Sequence, residues 1–289
     1  MSAFDEFWAD VDAELARYPM AAELRAMPEH SAEHSTTYFV RLTSIGPYRV
    51  SGYYSVPNTA GPHPGLLLTP RYGSVNHVPD YWDRERYAVL QLIHRGQRLA
   101  DRPFAAAYPG LLTLGIESAQ SYVYRGIVAD CLRGAEFLAS HSEVHRERVA
   151  VQGDDLALLT AARRPSVFMS VLAEEMLLYR LLDAAPRSDA YPVEEVNDYL
   201  RSRAGSAPVV AKTVSYFDAR QHAPHVKATV MLPVGDDPSW LEPLRSALGE
   251  RAETYQLTHR GAEDHDWLDA WLARKLGAQS RSRFLERVR

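Results

Sequence analysis

The sequence predicts an α/β fold, in which a mixed and mostly parallel sheet is covered by helices on both faces. After an N-terminal segment, strand-like segments follow one another with little helical pattern between them. Further along, strand-like and helix-like segments alternate, which is typical of parallel strands joined by helices. The length of 289 residues and the hydrophobic share of 46% are sufficient for a large core.

An amphipathic helix is predicted at residues 4–15, because an apolar stripe that includes Phe7 and Trp8 recurs there at helical spacing. This stripe would pack on the body of the protein. Two prolines then break the chain. We therefore expect residues 1–35 to form an N-terminal helical extension ahead of the sheet.

The sheet is predicted from short apolar segments that are bounded by turn residues. The predicted strands are residues 38–42, 48–56, 66–68, 88–93, 148–152, 228–234 and 254–257, with a further short apolar segment at 167–172. The predicted helices are residues 122–140, 156–162, 193–203, 240–248 and 267–276. Because neither a repeat nor a long linker divides the chain, we expect residues 1–289 to form a single domain.

Composition excludes several classes of partner. The net charge is −5 and no long basic run occurs, which argues against nucleic acid. No run of about 18 apolar residues is present to span a membrane. The single cysteine, Cys131, cannot form an internal disulfide. We expect a soluble, cytoplasmic protein whose partner is a small-molecule substrate.

Motifs for metals and cofactors are also missing from the sequence. It has no His-x-x-x-His pair, no cysteine pair and no aspartate-rich loop, so we expect no bound metal. It has no glycine-rich phosphate loop, so we expect no nucleotide cofactor. Glu174 and Glu175 are adjacent acids, which we interpret as part of a helix surface rather than as a paired-carboxylate site.

Five collinear segments resemble the cephalosporin C deacetylase and acetyl xylan esterase family of α/β hydrolases. The residues that carry this resemblance are Phe7-Trp8, Tyr72-Gly73, Arg95-Gly96-Gln97, Gly115-Ile116 with Tyr122, Tyr124, Arg125 and Asp130, and finally Ser215-Tyr216-Phe217-Asp218. Their order and spacing match the family across nearly the whole chain. The resemblance implies an α/β-hydrolase fold and, from the habits of the family, association into homo-oligomers.

The family's catalytic serine lies on a Gly-x-Ser-x-Gly elbow, a strained turn between a strand and a helix. The matching segment here reads Gly153-Asp154-Asp155-Leu156-Ala157, so Asp155 stands where the serine is expected. No Gly-x-Ser-x-Gly occurs elsewhere in the chain. The resemblance therefore implies a hydrolase fold with a degenerate catalytic triad.

The other triad positions follow from the same resemblance. The family's aspartate falls within residues 235–238, where a one-residue gap selects Asp237. The histidine position falls on Ala262, which His259 and His265 flank within three residues, so both are candidates. For His265, a solvated place in the first turn of a helix is the alternative.

The resemblance also implies an oxyanion hole. Its donors would be the backbone N–H groups of Tyr72 and of Leu156, the residue after the elbow position. His94 precedes the Arg95-Gly96-Gln97 turn and is a further candidate for the pocket, with a place in the core as the alternative.

Asp155 has three interpretations that the sequence leaves open. It is a nucleophile, as in the haloalkane dehalogenase and epoxide hydrolase relatives of this superfamily, and the chain then hydrolyses an ester or a related bond. It is a general acid or base in proton transfer, elimination, isomerisation or cyclisation. Or it is an inert replacement in a protein that binds without catalysis.

The sequence alone favours the second interpretation. We expect a pseudo-hydrolase that has lost the serine mechanism and serves non-hydrolytic chemistry in secondary metabolism, with Asp155 as the acid or base. Sixteen tyrosines and five tryptophans favour an apolar pocket and hence an apolar or polycyclic substrate.

Overall fold

The computed structural model describes residues 2–73, 77–97 and 107–282. Nine strands in these ranges form one sheet. They are β1 Glu23–Ala26, β2 Ser35–Thr43, β3 Arg49–Pro57, β4 His63–Leu68, β5 Ala88–Leu92, β6 Val144–Gly153, β7 Ser170–Ala173, β8 Thr229–Val234 and β9 Ala252–Gln256. The strand order is β1-β2-β3-β5-β4-β6-β7-β8-β9.

The sheet is antiparallel at one side and parallel over the rest. Pairs β1–β2, β2–β3 and β3–β5 are antiparallel, whereas every pair from β5–β4 to β8–β9 is parallel. The predicted mixed and mostly parallel sheet is confirmed. Because β4 to β9 share one direction, their carboxyl ends lie along one edge, which is where open α/β sheets bind ligands.

Helices cover both faces of the sheet, as predicted. The α-helices of the described residues are α1 Ala3–Arg17, α2 Tyr81–Arg86, α3 Val123–Ser140, α4 Asp155–Arg163, α5 Leu181–Ala184, α6 Glu194–Ser202, α7 Ala207–Ser215, α8 Ala219–His222, α9 Glu242–Leu248 and α10 Gly261–Leu276. Most of them, including α3 and α4, pack into a large core on one face. On the other face, α10 covers a second core that includes Leu66, Ala150 and Met231.

The N-terminal segment differs in part from its prediction. Helix α1 begins at a capping box, in which the Ser2 side chain accepts from the Asp5 N–H and the Asp5 carboxylate accepts from the Ser2 N–H. The Trp8 indole N–H donates to the Tyr216 carbonyl at 3.2 Å, so α1 packs on the body as expected. However, the segment is not only helical, because β1 extends the sheet by pairing with β2. The single-domain boundary at 1–289 stays a prediction.

The Arg95-Gly96-Gln97 turn follows β5, and its arginine contacts α3. The Arg95 guanidinium donates to both carboxylate oxygens of Asp130 on α3, at 2.9 and 2.6 Å. The Asp130 side chain is buried and the Arg95 side chain is 13% exposed. This forked pair gives the arginine a structural role, because it ties the turn after β5 to α3. None of the described helices is both long and apolar enough to cross a bilayer.

Candidate active site

The turn between β6 and α4 is the predicted elbow. Strand β6 ends at Gly153, and α4 begins two residues later at Asp155. A Cβ at Gly153 would lie 1.8 Å from the Thr69 Oγ1 atom, so only glycine fits between β6 and the end of β4. The turn therefore stands at the carboxyl edge of the parallel strands, as the family resemblance implies.

Asp154 caps the helix that follows this turn. The Leu156 N–H donates to Asp154 Oδ1 at 2.9 Å, which satisfies one of the free N–H groups at the start of α4. The sequence prediction assigned this same N–H to the oxyanion hole. In this structure the Leu156 N–H is engaged by a carboxylate instead, so the predicted donor is not free.

Asp155 points away from solvent. It is the first residue of α4 and has no positive φ, so it lacks the strained turn that presents a nucleophile at the top of the sheet. Its side chain is fully buried, and the Leu178 N–H donates to Oδ2 at 2.7 Å. Among the described residues, Oδ1 has no hydrogen-bond partner. Burial, and then the neighbouring Asp154 charge, raise the pKa of Asp155 well above that of an ordinary aspartate.

The segment after β7 runs over the elbow. The Glu174 N–H donates to the Gly153 carbonyl at 2.7 Å, and the backbone then turns through Glu175 at a φ of 28°. The Glu174 carboxylate pairs with the Arg71 guanidinium. The interpretation of Glu174 and Glu175 as a helix surface is wrong, because this stretch is irregular and borders cavities.

Two adjoining cavities lie beside the elbow, and both are bordered by Arg71, Glu174, Glu175 and Met176. The larger has a volume of about 680 Å³ and reaches the ends of β7 and β8. The smaller, of about 420 Å³, is completed by Tyr72, Asp154, Leu177 and Pro192. The cavities beside these strand ends are therefore large enough for a small-molecule ligand.

Asp154 is the elbow carboxyl that faces a cavity. Its side chain is 8% exposed and borders the smaller cavity, whereas Asp155 is 0% exposed and borders neither. Burial raises the pKa of Asp154, and the nearby Arg71 charge opposes part of that rise. Two adjacent buried carboxyls therefore have different surroundings, one at a cavity wall and one in the core.

The predicted aspartate and histidine do not contact each other. Asp237 accepts from the Ser239 N–H at 3.1 Å and borders the larger cavity. The partner of His259 is instead Asp236, whose Oδ1 lies 2.8 Å from the imidazole Nε2. The His259 side chain is 58% exposed, and its backbone has a φ of 60°. The structure thus pairs His259 with the neighbour of Asp237, and the assignment of Asp237 to the triad stays a prediction.

The remaining candidates lie on different parts of the chain and have different partners. His265 is on α10, with Nδ1 3.7 Å from an Asp266 oxygen. His94 is buried in the core rather than at a cavity wall, with Nδ1 2.9 Å from the Arg95 carbonyl, and burial lowers its pKa. Tyr72 borders the smaller cavity, where its hydroxyl donates to Glu195. Its backbone N–H remains a predicted oxyanion donor.

Comparison with known proteins finds a matching family and a curated relative. The model of the acetyl xylan esterase family (AXE1) matches residues 1–244. The acetyl esterase Axe7A of Xylanibacter ruminicola is 22% identical over 250 residues, covering 80% of this chain and 55% of that protein. The chain thus spans about half the length of this curated relative.

Solved structures show the same fold. The acetyl xylan esterase from Paenibacillus sp. R4 has a TM-score of 0.83 at 24% identity, covering 96% of this chain and 95% of that one. Acetyl xylan esterase 1 from Thermoanaerobacterium sp. JW/SL YS485 has a TM-score of 0.79 at 23% identity, with 94% and 93% covered.

These comparisons correct the interpretation favoured by the sequence alone. The pseudo-hydrolase of secondary metabolism is wrong, because the family match covers most of the chain and the curated relative is an acetyl esterase. An α/β hydrolase similar to the acetyl xylan esterases takes its place. Within the described residues, no group of three or more side chains is arranged to hold a metal ion.

Proposed function

Because the chain belongs to the acetyl xylan esterase family, we propose that it hydrolyses an ester bond of a small molecule, with Asp154 as the base that activates water. One observation carries the assignment of the base. Of the two elbow carboxyls, Asp154 borders a cavity and Asp155 does not. A base acts best when its pKa is close to the working pH, and burial raises the pKa of Asp154 in that direction.

In the proposed reaction, a water molecule in the smaller cavity attacks the acyl carbon of the ester while the Asp154 carboxylate accepts one of its protons. The carbonyl oxygen of the ester becomes the negatively charged oxygen of a tetrahedral intermediate. This intermediate then expels the alcohol oxygen, which takes the proton back from Asp154. The products are an acid and an alcohol, and Asp154 returns to its ionised form.

Two groups at the same cavity suit the charge of the intermediate. Arg71 and Tyr72 both border this cavity, and in the proposed reaction the Arg71 guanidinium and the Tyr72 N–H stabilise the oxyanion. The Leu156 N–H is a third donor in the proposed reaction. Before the reaction it donates to the Asp154 carboxylate at 2.9 Å. Because a hydrogen bond to a charged oxygen is stronger than one to a neutral acid, protonation of Asp154 loosens this N–H as the oxyanion forms.

Asp155 as nucleophile is a second mechanism for the same hydrolysis. Its support is the position of Asp155, which replaces the serine of the family elbow. Attack by Asp155 requires that the Leu178 N–H, 2.7 Å from its Oδ2, release the carboxylate and that the covering segment move aside. The acyl group would then pass to Asp155 as its bond to the alcohol oxygen breaks, and the alcohol would leave with a proton from water. Water would hydrolyse the resulting mixed anhydride to the free acid and regenerate the Asp155 carboxylate.

The substrate is proposed to carry an apolar group. Apolar side chains form much of the larger cavity, among them Met176, Trp240, Leu241 and Leu257. An acyl or alcohol group with an apolar surface would remove these side chains from water on binding.

The test compares two isosteric variants, Asp154→Asn and Asp155→Asn, in hydrolysis of 4-nitrophenyl acetate and of 4-nitrophenyl esters with longer acyl chains. Asparagine is also a good helix cap, so Asp154→Asn should fold normally. We expect this variant to lose about 100-fold or more in kcat, as for removal of a general base, and Asp155→Asn to keep most of it. Mass spectrometry under single turnover should show no adduct on Asp155.

Each other outcome changes a definite part of the proposal. Full activity of Asp154→Asn would overturn Asp154 as the base. Inactive Asp155→Asn, together with an acyl adduct on Asp155 in the wild type, would establish the nucleophile mechanism. Wild-type protein that hydrolyses no ester in this series would overturn the proposed function. Inhibition by a serine-directed reagent would contradict both carboxylate mechanisms.

A further inference from the structure

The segment that covers the elbow also forms a wall of both cavities. This covering segment, residues 174–179, lies between β7 and α5. Glu174, Glu175 and Met176 border both cavities, and Leu177 borders the smaller one. The shape of the cavities therefore depends on the path that the covering segment takes.

The elbow holds the covering segment on both sides of these four residues. At its beginning, the Glu174 N–H donates to the Gly153 carbonyl at 2.7 Å. Near its end, the Leu178 N–H donates to Asp155 Oδ2 at 2.7 Å. Asp155 and Leu178 are both buried, and a buried N–H that loses its acceptor costs free energy. The bond to Asp155 therefore fixes the position of Leu178.

The backbone of the covering segment needs such external contacts. Residues 174–179, all of which the structure describes, form neither a helix nor a strand. The φ angles of Glu175 and Arg180 are 28° and 51°, which are rare for residues with a side chain. Conformations of this kind persist only where surrounding contacts impose them. The elbow bonds are contacts that impose this path.

From this arrangement we propose that Asp155 is a positioning residue that selects the acyl group of the substrate. By accepting from the Leu178 N–H, it fixes the wall that Met176 and Leu177 form, and this wall determines how long an acyl chain fits. Asp155 stands where the family elbow has serine, and its carboxylate oxygen lies one bond farther from the backbone than a serine hydroxyl. The proposal rests on the proposed function for the reaction that the cavities serve.

The first experiment compares two variants that keep the shape of the side chain. Asp155→Asn keeps an oxygen that accepts from the Leu178 N–H, whereas Asp155→Leu has no acceptor. Hydrogen–deuterium exchange of the full chain is read by mass spectrometry on peptides that cover residues 174–180. We expect the wild-type rate in Asp155→Asn and a rate faster by about tenfold or more in Asp155→Leu, because the covering segment then leaves the elbow more often.

Two controls separate this local effect from general destabilisation. Peptides that cover residues 148–152 of β6 should exchange at the wild-type rate in both variants. Asp264→Leu also removes a buried carboxylate, which accepts from the Thr258 N–H at 2.9 Å and borders neither cavity. It should leave exchange of residues 174–180 unchanged. If Asp155→Leu does not fold, Asp155→Ala, which also lacks the acceptor, takes its place.

The second experiment measures kcat and KM for 4-nitrophenyl acetate and 4-nitrophenyl octanoate. In Asp155→Leu, we expect the KM of the octanoate ester to rise about fivefold or more and that of the acetate ester to change less than about twofold. The reason is that the longer chain contacts more of the wall formed by Met176 and Leu177. Asp155→Asn should match the wild type for both esters, a rescue that loss of folding would not explain.

The outcomes that contradict the proposal are distinct. Equal exchange of residues 174–180 in Asp155→Asn and Asp155→Leu would overturn the anchoring of the covering segment. Faster exchange in Asp155→Leu without a change in the KM of the octanoate ester would overturn the selection of acyl groups. Inactive Asp155→Asn with an acyl adduct on wild-type Asp155 would show a chemical role instead. Exchange does not depend on hydrolysis, so a wild type that hydrolyses no ester removes the proposed function, and exchange alone then decides the anchoring.

Discussion

The turns that follow β5 and β6 both contain or contact buried aspartates, but their surroundings are opposite. After β5, Asp130 receives two hydrogen bonds from the Arg95 guanidinium. After β6, Asp154 accepts from the Leu156 N–H and Asp155 from the Leu178 N–H. A buried acid with a matched cation serves to join two elements, whereas a buried acid without one has a raised pKa and becomes available for proton transfer.

The largest effect expected from this comparison is that of Asp130→Ala. The substitution leaves the mostly buried Arg95 guanidinium without its carboxylate, which should lower the free energy of unfolding by about 3–5 kcal/mol. Urea unfolding followed by circular dichroism measures this. Glu242→Gln, which breaks the exposed pair with Arg245, is the control and should change stability little. Equal effects of the two substitutions would contradict the structural role of the Arg95 pair.

A smaller effect, and one that depends on pH, is expected at Asp155. The pKa of Asp155 is raised in the folded protein. Its contribution to the free energy of unfolding is therefore fully present below the pKa of the unfolded chain, about 4, and is lost as the pH rises through the pKa of the folded protein. The melting temperature of the wild type should therefore fall on going from pH 5 to pH 9. Asp155→Asn, which cannot ionise, should show a smaller fall.

The melting temperatures of the wild type and Asp155→Asn are measured by scanning calorimetry or dye-based melting at intervals of one pH unit. An Asp155→Asn profile that parallels that of the wild type would show that Asp155 does not exchange its proton over this range. Because Asp154 also has a raised pKa, Asp154→Asn should flatten the profile in the same direction.

The smallest effect concerns the helix cap alone. Asp154→Ala removes the oxygen that accepts from the Leu156 N–H and should lower the free energy of unfolding by about 1 kcal/mol. Asp154→Asn keeps an acceptor and should leave stability nearly unchanged. If both variants lose activity while only the first loses stability, the role of Asp154 in capping is separated from its role at the cavity.

The strands and the position of the elbow could be predicted because buried strands carry a dense apolar pattern. Val149, Ala150 and Val151 predict the end of β6, and the structure confirms it. Helix α7 is absent from the sequence prediction because much of it is β-branched, with valines and a threonine that favour strands.

The carboxylates of the site were placed less accurately. Residues 173–179 include Glu, Met and Leu, which favour a helix, but the bonds from the Glu174 N–H to Gly153 and from the Leu178 N–H to Asp155 impose an irregular path. Tertiary contacts of this kind produce no periodic pattern of apolar residues in the sequence. For the same reason, the sequence does not show that Asp154 rather than Asp155 borders a cavity, or that Asp236 rather than Asp237 lies beside His259.

Helix α10 has a consequence for how the chain is made. The second core joins Leu66, Ala150 and Met231 to side chains of residues 261–276, so contacts form between parts of the chain that are synthesised far apart in time. Until α10 has left the ribosome, that apolar face of the sheet lacks its main cover and is open to aggregation or to a chaperone. This face of the sheet is therefore covered only after α10, the last helix that the structure describes, has been synthesised.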